Sequence, residues 1–230
     1  MSAMWLAAAL LAAAPGPKPP VLLTTADLDP ARVLPPPPAA GSTQAAAELA
    51  ELHAAEVART PADEADARRD GDTKNATIFA VVFGPRFDLD KLPATARLMA
   101  LVRASEKAVV DSGKDEFKRA RPYAVDTSLN SCKRNDDPLS SYPSGHTSMA
   151  FSMGETLARL VPERAPALLA RAARYGQSRI VCGQHFRSDV TAGQLLGGLI
   201  VERLMTKPEF QAAFAGARRE LVTAGIATKS

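Results

Sequence analysis

Ser188–Met205 reads SDVTAGQLLGGLIVERLM, a stretch that is apolar on most of its faces. A helix with that pattern belongs in the middle of a core, and Gly193, Gly197 and Gly198 would let its neighbours approach closely. Working outward, the same helical period recurs along the chain. His146–Leu160 places Met149, Met153, Leu157 and Leu160 on one side, and Pro166–Ile180 aligns Leu169, Ala172, Ala173 and Gly176. Thr95–Ser112 aligns Leu98, Leu101, Val102, Ser105 and Val109, with Gly113 expected as its C-cap. Lys114–Arg121 reads as helical until Pro122 stops it. Ser42–Arg59 reads as a helix capped by Ser42 or Thr43, and the polar Thr60–Lys74 as a surface loop or an exposed helix.

Other segments break the period. Pro17–Ala40, centred on Pro35-Pro36-Pro37-Pro38, predicts an extended, polyproline-like arm. Tyr123–Tyr142 is polar and predicts a long loop, the kind of segment that carries function in a compact domain. The expected fold class is all-α, a single-domain helical bundle with long loops. Its expected divisions are a signal peptide over residues 1–20, a Pro-rich arm over 21–43 and a helical domain over 44–230.

Composition agrees with one domain. At 230 residues and 46% hydrophobic, the chain can bury one sizeable core. Aromatics are only 5%, and Ala and Leu dominate, which favours helix over sheet. A net charge of +3 without a long Lys/Arg stripe gives no reason to expect nucleic acid as a partner. Met1–Pro17 carries no charged side chain, and its apolar run from Ala3 to Ala14 ends in small residues before Pro15. That pattern predicts a cleaved secretory signal, too short to span a bilayer. The next best apolar run, Leu195–Val201, is shorter, so no membrane association is expected. An exported chain would join Cys132 to Cys182, whereas a cytosolic one would keep two buried thiols.

Three segments carry chemistry together. Lys114 is followed after six residues by Arg121-Pro122. Pro143-Ser144-Gly145-His146 stands where a loop enters a helix. Ser178-Arg179 is followed by His185 and, four residues on, Asp189. Lys114, Arg121 and Arg179 could surround a phosphate, and Arg offers a planar fork of donors for it. The N–H groups at the helix start would add to the cradle, with Ser144 as a hydroxyl donor and Gly145 permitting close approach. Asp189 is expected to fix the tautomer of His185, leaving the other ring nitrogen to attack phosphorus. His146 would protonate the leaving alkoxide and then activate water. Taken singly, each residue has a plainer reading: a surface charge, a cap or turn chemistry. The third histidine, His53, is expected to be structural.

The three segments resemble the tripartite signature of the type 2 phosphatidic acid phosphatase superfamily, which includes vanadium haloperoxidases. Leu34-Pro35-Pro36-Pro37-Pro38, Tyr142–Ser148 and Gly176–Gly183 are similar to one branch, the class A bacterial non-specific acid phosphatases. The resemblance implies an all-helical fold with the site at the end of the helical core. It implies hydrolysis of many phosphate monoesters through a phosphohistidine, with phosphotransfer as a side activity, and no metal or cofactor. Lys114, Arg121, Ser144, Gly145 and Arg179 would bind phosphate, and His185, His146 and Asp189 would be catalytic. A Cys132–Cys182 bridge, a periplasmic location and small-molecule phosphate monoesters as partners are implied, and a homo-oligomer is expected. Ser141 stands where that branch usually has Gly, a departure expected to stiffen the loop and touch no catalytic role. The competing expectations are a vanadate-dependent haloperoxidase and a non-catalytic phosphate-binding protein.

Overall fold

In the computed structural model, residues 18–134 and 136–228 are described, and among them there are helices and turns but no strand. The signal peptide expected over residues 1–20 lies outside this range for all but its last three residues. The arm leads into one helical turn, α1 (Pro30–Val33), which Asp29 caps by accepting from the Ala31 N–H at 3.0 Å. That turn corrects the expectation of a wholly extended arm, because the side-chain cap and a Pro at the first helical position suffice to start it. α2 (Thr43–Ala58) follows, capped by Ser42. The segment left between loop and helix is α3 (Pro61–Asp72), started by a reciprocal capping box between Thr60 and Asp63. A 3₁₀ turn and α4 (Ala80–Phe83) carry the apolar run before Gly84.

α5 (Pro93–Phe117) is longer than the sequence pattern predicts. Gly113 is not its C-cap; the helix runs on through Lys114 and stops at Lys118, whose φ is 44°. Gly113 serves close packing instead. A Cβ there would lie 3.0 Å from Pro30 and 3.1 Å from Pro143, so the glycine lets the arm and the loop before α7 lie against the helix. α6 (Pro122–Val125) is a single turn at the head of the loop that ends at Tyr142.

α7 (Gly145–Leu160), α8 (Ala165–Val181) and α9 (Arg187–Met205) form the centre, with α7 packed most extensively on the other two. α10 (Pro208–Thr223) closes the far side against α5. The main core collects Leu98, Val102, Met149, Leu157, Leu196, Ile200 and Leu204 from α5, α7 and α9. The expected close approach at α9 is present. A Cβ on Gly193 would lie 2.5 Å from the Ser144 carbonyl, and one on Gly197 would lie 2.8 Å from Phe151. Those glycines seat α9 directly against the first turns of α7, which brings the start of α7, the end of α8 and the start of α9 to one place.

Candidate active site

The end of α5, the N-terminus of α7, the last turn of α8 and the residues before α9 converge at one end of the bundle. Lys114 comes from the last turn of α5, and its Nζ lies 3.5 Å from where a Cβ on Gly145 would be. The contact that glycine relieves there is with Val110, whose Cγ1 would lie 3.1 Å from that Cβ. Arg121 is the residue before α6, is 5% exposed, and is held by Ser140 and by the Gln184 carbonyl at 3.0 Å. Arg179 is equally buried, and its Nε has no hydrogen-bond partner. Among the described residues none of these three cations is paired to a carboxylate. Burial pushes all three down from their usual values, Arg179 to about 10, and the charge of Arg121 adds to the effect on Lys114. Desolvated like charges cost free energy that a dianion in their midst offsets.

α7 begins at Ser144, whose hydroxyl accepts from the Thr147 N–H and Thr147 hydroxyl. Its own hydrogen stays available to donate. The first N–H groups of α7 have no partner within the helix and carry the positive end of its dipole. The lysine, the two guanidiniums and this helix start border a cavity of about 460 Å³. Lys74 and Lys133 stand on its rim, two cations that no motif in the sequence singles out.

His185 is 1% exposed and lies in the tight turn between α8 and α9. Its Nε2 is 3.3 Å from Nη1 of Arg121. Its Nδ1 is 2.8 Å from the Ser141 carbonyl and 3.5 Å from Asp189 Oδ2. An Nδ1–H donating to the carbonyl leaves Nε2 with its lone pair facing the cations. This corrects the expectation for Asp189: the group that fixes the tautomer is the main chain of Ser141, and the carboxylate stands at second distance. Ser141, expected to touch no catalytic role, contacts both His185 and Asp189. The Asp189 oxygens accept from the Phe186 N–H, the Ser141 hydroxyl and Arg119.

His146 is half-buried on the first turn of α7, and its Nε2 donates to the Gly71 carbonyl at 3.0 Å. Burial, then Arg179, then His185 hold its pKa well below the usual value; burial, then Arg121 and Arg179, do the same for His185. The two imidazoles therefore share one site and are both neutral near pH 7. Gly71 is a site residue that sequence reasoning missed. A Cβ on it would fall inside contact distance of Arg179 Nη1, so a side chain at this position would push the guanidinium tip aside. Its carbonyl carries no side-chain signature, and only the Gly itself was visible.

Cys132 and Cys182 form a disulfide at the same cavity. His53 is remote from the cradle; it bonds Asp126 at 2.9 Å and ties α2 to the turn after α6. No group of three or more His, Cys, Asp or Glu residues arranged to hold a metal ion occurs among the described residues. Nor is any helix there long and apolar enough to cross a membrane.

Residues 95–210 match the family model described as the PAP2 superfamily. The chain is 32% identical over 200 residues to an acid phosphatase of Zymomonas mobilis, covering 84% of this chain and 75% of that one. It is 30% identical over 200 residues to a non-specific acid phosphatase of Providencia stuartii, covering 84% of this chain and 81% of that one. Among solved structures, Aquifex aeolicus LpxE superposes with a TM-score of 0.52 at 26% identity, covering 68% of this chain and 94% of LpxE.

Proposed function

The chain belongs to the PAP2 superfamily and is a phosphatase of the acid phosphatase kind, and from that premise we propose that it cleaves phosphate monoesters through a phosphohistidine on His185. The observation that carries this reading is the state of His185. A ring held neutral, with Nδ1–H committed to a carbonyl, turns its Nε2 lone pair toward buried cations that lack a carboxylate.

In the first step Nε2 attacks phosphorus, the N–P bond forms and the P–O bond to the alcohol breaks. His146 gives its proton to the departing oxygen, so a neutral alcohol leaves. In the second step His146, now neutral, takes a proton from water as the water oxygen attacks phosphorus and the N–P bond breaks. An alcohol in place of water gives phosphotransfer. Lys114, Arg121, Arg179, Ser144 and the N–H groups of Gly145 and His146 bind the three non-bridging oxygens, the largest contribution in phosphoryl transfer. His146 is neutral near pH 7 in the free enzyme, and a bound dianion raises its affinity for a proton. The mechanism needs His146 charged while His185 attacks neutral, so the reading requires a bell-shaped profile with an acidic optimum. The cavity offers cations and a helix terminus rather than a shaped apolar slot, which supports breadth toward the alcohol. We infer a periplasmic location from the disulfide, since such bonds persist in oxidising compartments.

The test is a panel of phosphate monoesters assayed with and without a chelator, followed by trapping of labelled enzyme. Wild type should turn over and yield acid-labile phosphohistidine, whereas His185→Ala should lose turnover by about 10⁴-fold or more while still binding phosphate. Full turnover by His185→Ala, or rates that climb steadily through alkaline pH, would overturn the assignment.

A further inference from the structure

Asp189 is completely buried, and its two oxygens are divided between groups from separate parts of the chain. Oδ1 accepts from Arg119 Nη1 at 2.6 Å. Oδ2 accepts from the Ser141 hydroxyl at 2.6 Å and from the Phe186 N–H at 2.8 Å. Arg119 is itself fixed on every side. Its Nη1 donates to the Ser188 hydroxyl at 2.6 Å, its Nη2 to Glu48 at 2.9 Å, and its guanidinium lies 4.3 Å from the centre of the Phe186 ring. Glu48 reaches back to α9 by accepting from the Ser188 N–H at 3.0 Å. The main chain closes the circuit, because the Ser141 N–H donates to the Arg119 carbonyl at 3.0 Å and the Ser144 N–H to the Asp189 carbonyl at 3.0 Å.

We propose that Arg119 and Ser141 are positioning residues of the phosphatase reaction: together they fix the Asp189 carboxyl behind His185 and favour its ionised form, while the Ser141 carbonyl aims the ring. This deepens the phosphohistidine reading and rests on it. Neither residue reaches the phosphate cradle in this arrangement. Arg119 is a further cation near the site, and it is spent on the carboxylates of Asp189 and Glu48.

The chemical need is clear from the charge changes. When Nε2 bonds to phosphorus, the ring gains positive character and its Nδ1–H becomes a stronger donor. The Ser141 carbonyl accepts that hydrogen, and the Asp189 charge 3.5 Å away stabilises the cationic ring through space. Burial opposes that charge and pushes the carboxyl of Asp189 up to about 6, with Arg119 and the hydrogen bonds from Ser141 and Phe186 pulling against it. The other charged or titratable groups that face it are His185 and, from neighbouring elements, Arg121 and Tyr142, with Glu48 behind Arg119. Only Arg119 donates directly to the carboxylate from a charged side chain. Without it, Asp189 would keep its proton to higher pH, and the carboxylate would back the ring over a narrower part of the pH range.

The experiment measures kcat and KM for p-nitrophenyl phosphate from pH 4 to 8, together with inhibition by inorganic phosphate and the fraction of protein that traps phosphohistidine. The variants are Arg119→Gln, Arg119→Lys, Ser141→Ala and Ser141→Gly. In Arg119→Gln the acid limb of kcat should move toward neutral pH by roughly 1–3 units. At pH 5 its kcat should fall about a hundredfold, the cost of a misplaced catalytic group. KM and phosphate inhibition should change less than about threefold, because the cradle is untouched. Arg119→Lys should return the acid limb most of the way, since it restores the charge but not the fork. Ser141→Ala and Ser141→Gly keep the carbonyl and lose the hydroxyl, so each should show a smaller shift of the same sign. They remain informative where Arg119→Gln does not fold.

An unchanged acid limb in all four variants, with activity lost only in proportion to the trapping-competent fraction, would show a purely structural network and overturn the proposal. So would a rise in KM matched by weaker phosphate inhibition, which would make Arg119 a substrate ligand. Wild-type protein that hydrolyses the ester but never traps on His185 would remove the phosphohistidine reading beneath it, a result visible before any variant is made.

Discussion

The site is assembled from residues whose types are ordinary and whose surroundings are not. Arg179 is a buried guanidinium with an unpartnered Nε, and it keeps its place because the residue facing it, Gly71, has no side chain. Gly71 lies in the last turn of α3, where alanine would cost the helix nothing and is otherwise the better helix former by about 1 kcal/mol. Any effect of Gly71→Ala must therefore come from the displaced guanidinium and the Gly71 carbonyl that His146 uses. We expect kcat/KM to fall roughly tenfold to a hundredfold. Inhibition by phosphate should weaken in parallel, and the thermal midpoint should stay within a few degrees. Steady-state kinetics beside a melting curve decide it, and unchanged phosphate inhibition would refute the role given to this close contact.

At the level of elements, the turn that presents His185 hangs between α8 and α9 and is clamped from outside. The Cys132–Cys182 disulfide spans 50 residues, and beside it Arg59 donates to the carbonyls of Val181 at 3.1 Å and Asn130 at 3.0 Å. The Cys132 N–H also donates to the Cys182 carbonyl at 3.0 Å. A loop of this size, when cross-linked, restricts the unfolded chain by about 4 kcal/mol on the chain-entropy account. Urea unfolding of Cys132→Ser/Cys182→Ser should give a stability lower by that order. A loss under about 1 kcal/mol would mean that Arg59 and the backbone bonds hold the turn unaided.

Across the whole molecule, the balance of buried acids ties stability to pH. Glu106 on α5 is fully buried, its Oε1 has no partner, and burial pushes it up to about 7 against the pull of Arg103. A raised carboxyl binds its proton more tightly folded than unfolded. The stabilisation from that proton is thus complete at low pH and fades as pH climbs through about 7. Asp189, raised to about 6, acts in the same direction. At the other end, Asp27 and Asp126 are lowered to about 2, and their contribution is lost only as pH falls below the ordinary carboxylate range. Glu106 and Asp189 therefore favour the folded protein more near pH 5 than near pH 8, while His146 and His185, held neutral, oppose them as pH falls below about 6.5. Glu106→Gln should flatten the slope by on the order of a few kcal/mol across that interval. Thermal midpoints of the two proteins against pH test this, and parallel curves would exclude Glu106 as the source.

The amino-acid sequence by itself determined the helical class, the extents of α2, α7, α8 and α9 to within a residue or two, and the three segments that converge on the site. Periodicity, caps and the spacing of Lys114, Arg121, His146, Arg179, His185 and Asp189 are local properties, legible along the chain. It misjudged Gly113 because a glycine after a periodic run looks the same whether it ends a helix or admits a neighbour. Only the tertiary structure decided that the Ser141 carbonyl aims His185, that Arg119 and Glu48 hold Asp189, and that Gly71 covers Arg179. Those contacts join residues far apart in the chain, several through main-chain atoms that every residue carries, and no one-dimensional pattern records which carbonyl folding will bring to which ring.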